Sequence, residues 1–185
     1  MRRLARLWAG IDKLSEIAGR IAYWAILLMV LVGTYNAAAR YAGRALGRSL
    51  TSNAYLELQW YLFSVLFLLG ASYALRHGAH VRVDVFYGRF SPRTRAWMEL
   101  LGMLLFVLPF CASVLYFSWP SVLSSWRLRE MSPDPGGLPR YPIKTVILVG
   151  FLLLGLQAIA EAIKRWAWLR GRATPWTPPR AGEGL

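Results

Sequence analysis

Few residues in this 185-residue chain could carry acid–base or metal chemistry. His77 and His80 stand three apart, a spacing that suits a metal on one helical face, but no other histidine and only one cysteine, Cys111, is present to close a site or a disulfide. Haem in a helical membrane bundle needs histidines inside the helices, and both of these fall in a basic connection between two apolar runs. A membrane-embedded hydrolase would need a nucleophile and a base at mid-depth, and the apolar runs contain neither Asp nor His. No Gly-rich phosphate loop follows a strand, because no segment reads as a convincing strand. What remains are polar side chains inside or beside apolar runs, where burial in lipid costs about 3 kcal/mol at mid-depth. They are Asn36, Arg40, Glu57 and Tyr61, joined by Arg82 and Asp84 in the basic connection.

Asn36 precedes Arg40 by one helical turn, so the two share a face near the end of the first run, where Arg40 can also snorkel to the headgroups. Glu57 follows the capping candidates Ser52 and Asn53 by about one turn, where the helix dipole favours an anion. With Tyr61 and Ser64 it forms a polar stripe at spacings of four and three. Such a stripe suits a solute pathway or a helix and subunit contact; no second acid joins it at depth, which favours contact. The six residues are therefore candidates for structural or subunit contacts, and none is a substrate, catalytic, metal or cofactor ligand.

Behind these residues stand long apolar runs. The chain is 56% hydrophobic, 14% aromatic and 17% charged, with a net charge of +13, a mixture that excludes a disordered tail. Four runs reach the length of about 20 residues needed to cross a bilayer core. They predict an all-α integral membrane protein, a single membrane domain with four transmembrane helices over about 21–39, 54–75, 96–119 and 143–160 and a tail over 161–185. A cleaved signal peptide is the rival for the first run, but that run is too long and starts too late. Ahead of it, Leu4, Leu7, Trp8, Ile11, Leu14 and Ala18 recur at helical spacing, which fits either an amphipathic helix in the headgroup plane or an extension of the first span. Ser91-Pro92 reads as an N-cap and first helical residue, so the third helix should begin before its apolar part. The Pro- and Gly-rich stretch from Pro133 to Pro142 predicts a compact loop, and Pro and Gly in the segment from Thr174 to Leu185 predict a disordered end.

Cations set the expected orientation. Fifteen Lys and Arg residues lie in the amino-terminal segment, the second connection and the tail, against seven in the other two connections. The positive-inside rule then puts both termini in the cytoplasm of a multi-pass inner-membrane protein. The same cations would meet anionic membrane lipids, while nucleic-acid binding lacks a connection large enough to fold as a basic module. Trp8, Trp97, Trp119, Trp126, Trp166 and Trp168 sit near the expected span ends as interfacial anchors.

In order along the chain, Asn36-Ala37-Ala38-Ala39-Arg40-Tyr41, Glu57 with Tyr61-Leu62-Phe63, Leu69-Gly70-Ala71 and Arg76 through Asp84 resemble the small permease subunit of tripartite ATP-independent periplasmic (TRAP) transporters. The segments Ser52 to Trp60 and Gly136 to Lys144 resemble the subgroup labelled mannitol/chloroaromatic compound transporters. Many members carry paired acids at the start of the second helix, whereas here Leu58 and Gln59 follow Glu57. The resemblance implies a subunit without cofactor of its own that braces a large permease subunit. In the family that large subunit holds sodium and substrate, a periplasmic solute-binding protein delivers organic acids, and the sodium gradient drives uptake. Two other classes stay open on the residues alone: an oligomeric exporter or channel, and the membrane anchor of a respiratory enzyme.

Overall fold

The four apolar runs become four long helices in a computed structural model that describes residues 2–78, 90–172 and 174–176. Helix α1 (Arg2–Leu46) is one rod of 45 residues, about 67 Å at the standard helical rise and twice the hydrocarbon thickness. The basic amphipathic stretch is thus continuous with the first span and is not a separate helix turned into the headgroup plane. Helix α2 (Asn53–Arg76) starts where Ser52, in extended conformation, accepts the Ala54 N–H at 3.3 Å. Helix α3 (Pro92–Leu128) starts at Ser91, whose hydroxyl accepts the Thr94 N–H at 3.2 Å, with Pro92 in the first turn. Helix α4 (Arg140–Leu169) runs beyond Ala160, so the first part of the expected tail is helix.

One of these helices, α3, deviates from regularity for an identifiable reason. Between Met103 and Val107, α3 widens into a π turn in which the Leu108 N–H reaches the Met103 carbonyl. Pro109 follows directly. Its ring would meet the carbonyl four residues back in a regular helix, and the wider turn relieves that clash. The helix then continues past Trp119 and stops at Arg129, which adopts left-handed backbone with φ of 46°.

The helices stand in the order α1, α2, α4, α3, each packed on the next, and α1 also touches α4 near the termini. Small residues line these seams, as they must where helices approach in lipid without a hydrophobic drive between them. Ala18, Ala22 and Ala25 are buried along one face of α1, and a Cβ on Gly70 would lie 3.9 Å from Ala22. A Cβ on Gly150 of α4 would fall 2.8 Å from Leu68 Cβ and 2.9 Å from its carbonyl oxygen, so α2 and α4 meet at backbone distance there. Leu75, Leu100, Met103, Ala158 and Ala162 form the core where α2, α3 and α4 converge near the termini. The outward faces are apolar: Tyr116 and Phe117 are each 75% exposed. Lipid tails solvate such faces; water would not.

Gly150→Val should force α2 from α4 and destabilise the protein by about 1–3 kcal/mol, the usual cost of overpacking, read as a lower thermal midpoint in detergent. Gly102→Ala, where nothing lies within 4 Å, should not lower it.

Candidate functional site

Polar side chains gather at both ends of the bundle. At the end away from the termini, α2 presents Asn53, Glu57 and Tyr61, four residues apart and therefore on one face, to the loop between α3 and α4. Asn53 Nδ2 donates to the Pro135 carbonyl at 3.0 Å and Tyr61 OH donates to the Pro139 carbonyl at 3.2 Å. Between them Glu57, buried at 2% exposure, accepts the Ser132 hydroxyl on one carboxylate oxygen and the Leu138 N–H on the other. The loop is tied into a small hairpin by Ser132 N–H to Leu138 O (3.2 Å) and Arg140 N–H to Glu130 O (2.8 Å). Gly137 is obligatory at its tip: a Cβ would fall 2.5 Å from Ser132 Cβ and 2.8 Å from Glu57 Oε1. Glu130 accepts the Lys144 ammonium and, at 2.7 Å, the Ser125 hydroxyl. These bonds, the ammonium's foremost, hold the Glu130 carboxyl below the usual carboxylate range.

At the end near the termini, an ion network draws on all four helices. Lys164 of α4, with a side chain 5% exposed, donates to both Asp12 oxygens on α1 (2.8 and 2.9 Å) and to Glu161 (2.7 Å). Fully buried Gln157 donates to Asp12 (2.9 Å) and Glu161 (3.0 Å) and accepts the Ser15 hydroxyl at 2.8 Å. Arg165 bridges Glu161 to Glu99 of α3. On α2, Arg76 pairs with Glu16 at 2.6 Å and donates to the Asp12 carbonyl at 2.8 Å, while His77 Nε2 lies 3.3 Å from Glu16. Every one of these contacts joins groups that carry opposite charge or donate to an acceptor, so the arrangement serves to hold helices in register. Among the described residues no three of His, Cys, Asp and Glu gather as a metal site.

The residues singled out by spacing are dispersed as follows. Glu57 and Tyr61 share the loop clasp. Ser64 does not belong to it, because its hydroxyl donates to Trp60 O of its own helix at 2.8 Å and Asn53 takes the place four residues to the other side. Asn36 is buried and Arg40 exposed, and both line one cavity between the end of α1 and the start of α2. Arg82 and Asp84 lie outside the described residues. His77, in the basic connection, is exposed and lies against Glu16 and the Tyr73 ring. Of the segment expected to be disordered, Trp176 folds back, edge-on to Trp168 and beneath the Arg165 guanidinium. Sequence reasoning missed Asp12, Gln157, Glu161, Lys164 and Arg165 as a group. The three- and four-residue spacings from Gln157 through Arg165 were the available signal, because they place amide, acid and bases on one face.

A family model described as "Tripartite ATP-independent periplasmic transporters, DctQ component" matches residues 10–167. The chain is also similar to the "Ectoine TRAP transporter small permease protein TeaB" of Halomonas elongata, with 30% identity over 141 residues, 75% of this chain and 70% of the relative. No solved structure matches.

Lys164→Met should leave Asp12 and Glu161 facing each other without their shared cation and destabilise the protein by about 3–5 kcal/mol, measured by denaturation in detergent, with Lys164→Arg less damaging. Glu130 sets a pH dependence. Its folded pKa is lowered, so its contribution is fully present above the ordinary value of about 4.3 and is lost as pH falls through the folded value. The thermal midpoint should accordingly drop on acidification below about pH 4, and Glu130→Gln should make that drop shallower.

Proposed function

The chain belongs to the DctQ-component family of TRAP transporters, and from that premise we propose that it is the bracing small permease subunit of a solute-importing complex. It is a multi-pass membrane component of a transporter and not an enzyme. The observation that carries the bracing role is where its polar groups stand. Carboxylates and cations are paired at the two ends, and the seams between them are closed by Ala, Gly and Leu. A chain that moved an ion or solute through its own bundle would need polar groups and broken helices around a mid-depth passage.

On this reading the large permease subunit holds the sodium and solute sites, a periplasmic solute-binding protein delivers the solute, and the sodium gradient drives uptake. The excess of cations in the amino-terminal segment, the second connection and the tail supports cytoplasmic termini in the inner membrane. Organic acids are the solute class that the family resemblance implies. The Halomonas relative is named for ectoine, and in either case solute choice falls to the other chains.

Reconstitution tests this assignment. Proteoliposomes with both permease subunits, supplied with the binding protein and an inward sodium gradient, should accumulate solute. Liposomes with this chain alone should accumulate none, and uptake by the lone chain would overturn the proposal.

A further inference from the structure

Where α1 ends and α2 begins, two cavities of about 320 and 340 Å³ adjoin and share Arg40. Arg44 and Arg48 line the first; Asn36, Ser52 and Asn53 line the second. No acidic side chain lines either, and among the described residues none of the three arginines makes an ion pair. The backbone shapes this cleft. Gly47, with φ of 62°, turns the chain back so that the Arg48 N–H reaches Gly43 O at 3.0 Å, and a Cβ on Gly43 would fall 2.5 Å from the Arg48 carbonyl oxygen. That bond occupies one of the carbonyls at the negative end of α1. Ser52 and Asn53, the cap and first residue of α2, bring the positive end of that helix to the cleft.

Asn36 is the second, independent observation. Its side chain is buried at 3% exposure, it lines the cavity one turn from Arg40, and its Oδ1 has no hydrogen-bond partner. A buried amide oxygen left unpaired is costly, and no group among the described residues answers it. Three uncompensated guanidinium groups call for an oxyanion with several acceptor oxygens. The carboxamide fits the same ligand: it accepts from a P–OH or, turned about its terminal torsion, donates to a P–O⁻. We propose that this cleft binds a phosphate oxyanion. Its height, in the last turns of a span beside exposed Tyr41 and Leu46, is that of phospholipid headgroups, and free phosphate offers the same chemistry.

The test uses the full chain in maltoside micelles, which carry no phosphate, in two arms. In one, inorganic phosphate is titrated and the thermal midpoint followed; in the other, phosphatidylglycerol is doped in and retained lipid is counted by native mass spectrometry. Binding in at least one arm is expected. Arg40→Gln and Asn36→Leu should weaken it about tenfold, whereas Arg127→Gln, an exposed cation on α3 outside the cleft, should not. A response to inorganic phosphate alone identifies the free ion as the source, and retention of phosphatidylglycerol alone identifies the lipid. Should Asn36→Leu lower helical content, the exposed Arg40→Gln carries the test by itself. Absence of binding in both arms, or equal loss with Arg127→Gln and Arg40→Gln, would overturn the proposal.

Discussion

A lysine ammonium held between two carboxylates inside a membrane bundle constrains everything around it. Lys164 touches Asp12 and Glu161 at 2.7–2.9 Å and is 5% exposed along its side chain. Charges taken out of water need partners at close range, because their attraction must offset a desolvation cost of several kcal/mol per ion, or roughly that. The partners here come from different helices, so the charge condition becomes a geometric one. Asp12 fixes the height of α1 against α4, Arg165 with Glu99 fixes α3 against α4, and Arg76 with Glu16 fixes α2 against α1. A slip of one turn along α1 or α3, about 5.4 Å, would take Asp12 or Glu99 away from the buried cations of α4. Such networks add little stability over well-packed apolar groups. Their use in this chain is to choose one register among seams of small residues that could slide.

The other end is held by a different chemistry. There the carboxylate of Glu57 is answered by a hydroxyl and a backbone N–H of a hairpin loop. The loop therefore closes over α2 without a cation on Glu57 itself, and Asn53 and Tyr61 repeat the grip one turn to either side. Between the two clasps the helices touch through Ala, Gly and Leu. The result is a row of helices pinned at both ends, with outward faces left to lipid or to another apolar surface.

Helix number and type were legible because four uninterrupted apolar runs of span length admit no other solution in a bilayer. Helix ends were less so. Glu161, Lys164 and Arg165 look like the water line of the fourth span, since charge ordinarily marks it, yet they are buried against α1 and α3 and the helix continues through Leu169. Asp12 is similarly unremarkable until Lys164 is placed beside it, and a pairing 152 residues apart leaves no local trace. Glu57 was legible as a contact from its depth and isolation. Its partner, a loop 75 or more residues away, was not. Spacing also misplaced the third member of that stripe: Ser64, seven residues from Glu57, keeps nearly the same face, but its hydroxyl donates to Trp60 O of its own helix, while the loop bonds to Asn53.

Charge bookkeeping along the chain explains why the two ends differ. Of nine acidic residues, Asp12, Glu16, Glu99 and Glu161 serve the network near the termini. Glu57 is taken by the hairpin and Glu130 by Lys144, while Asp134 helps turn the hairpin by accepting the Gly137 N–H on its carbonyl. None of these acids lines the cleft between α1 and α2. The arginines at the end of α1 are thus not merely surface cations in a basic protein. They stand apart from the acids that pair with cations, on a helix end that folds its own backbone back to form a wall beside them. A net charge of +13 in an apolar chain is usually read as headgroup attraction spread over all connections. Here some cations are answered inside the protein and fix helix register, while Arg40, Arg44 and Arg48 gather beside a buried amide oxygen that no described group answers.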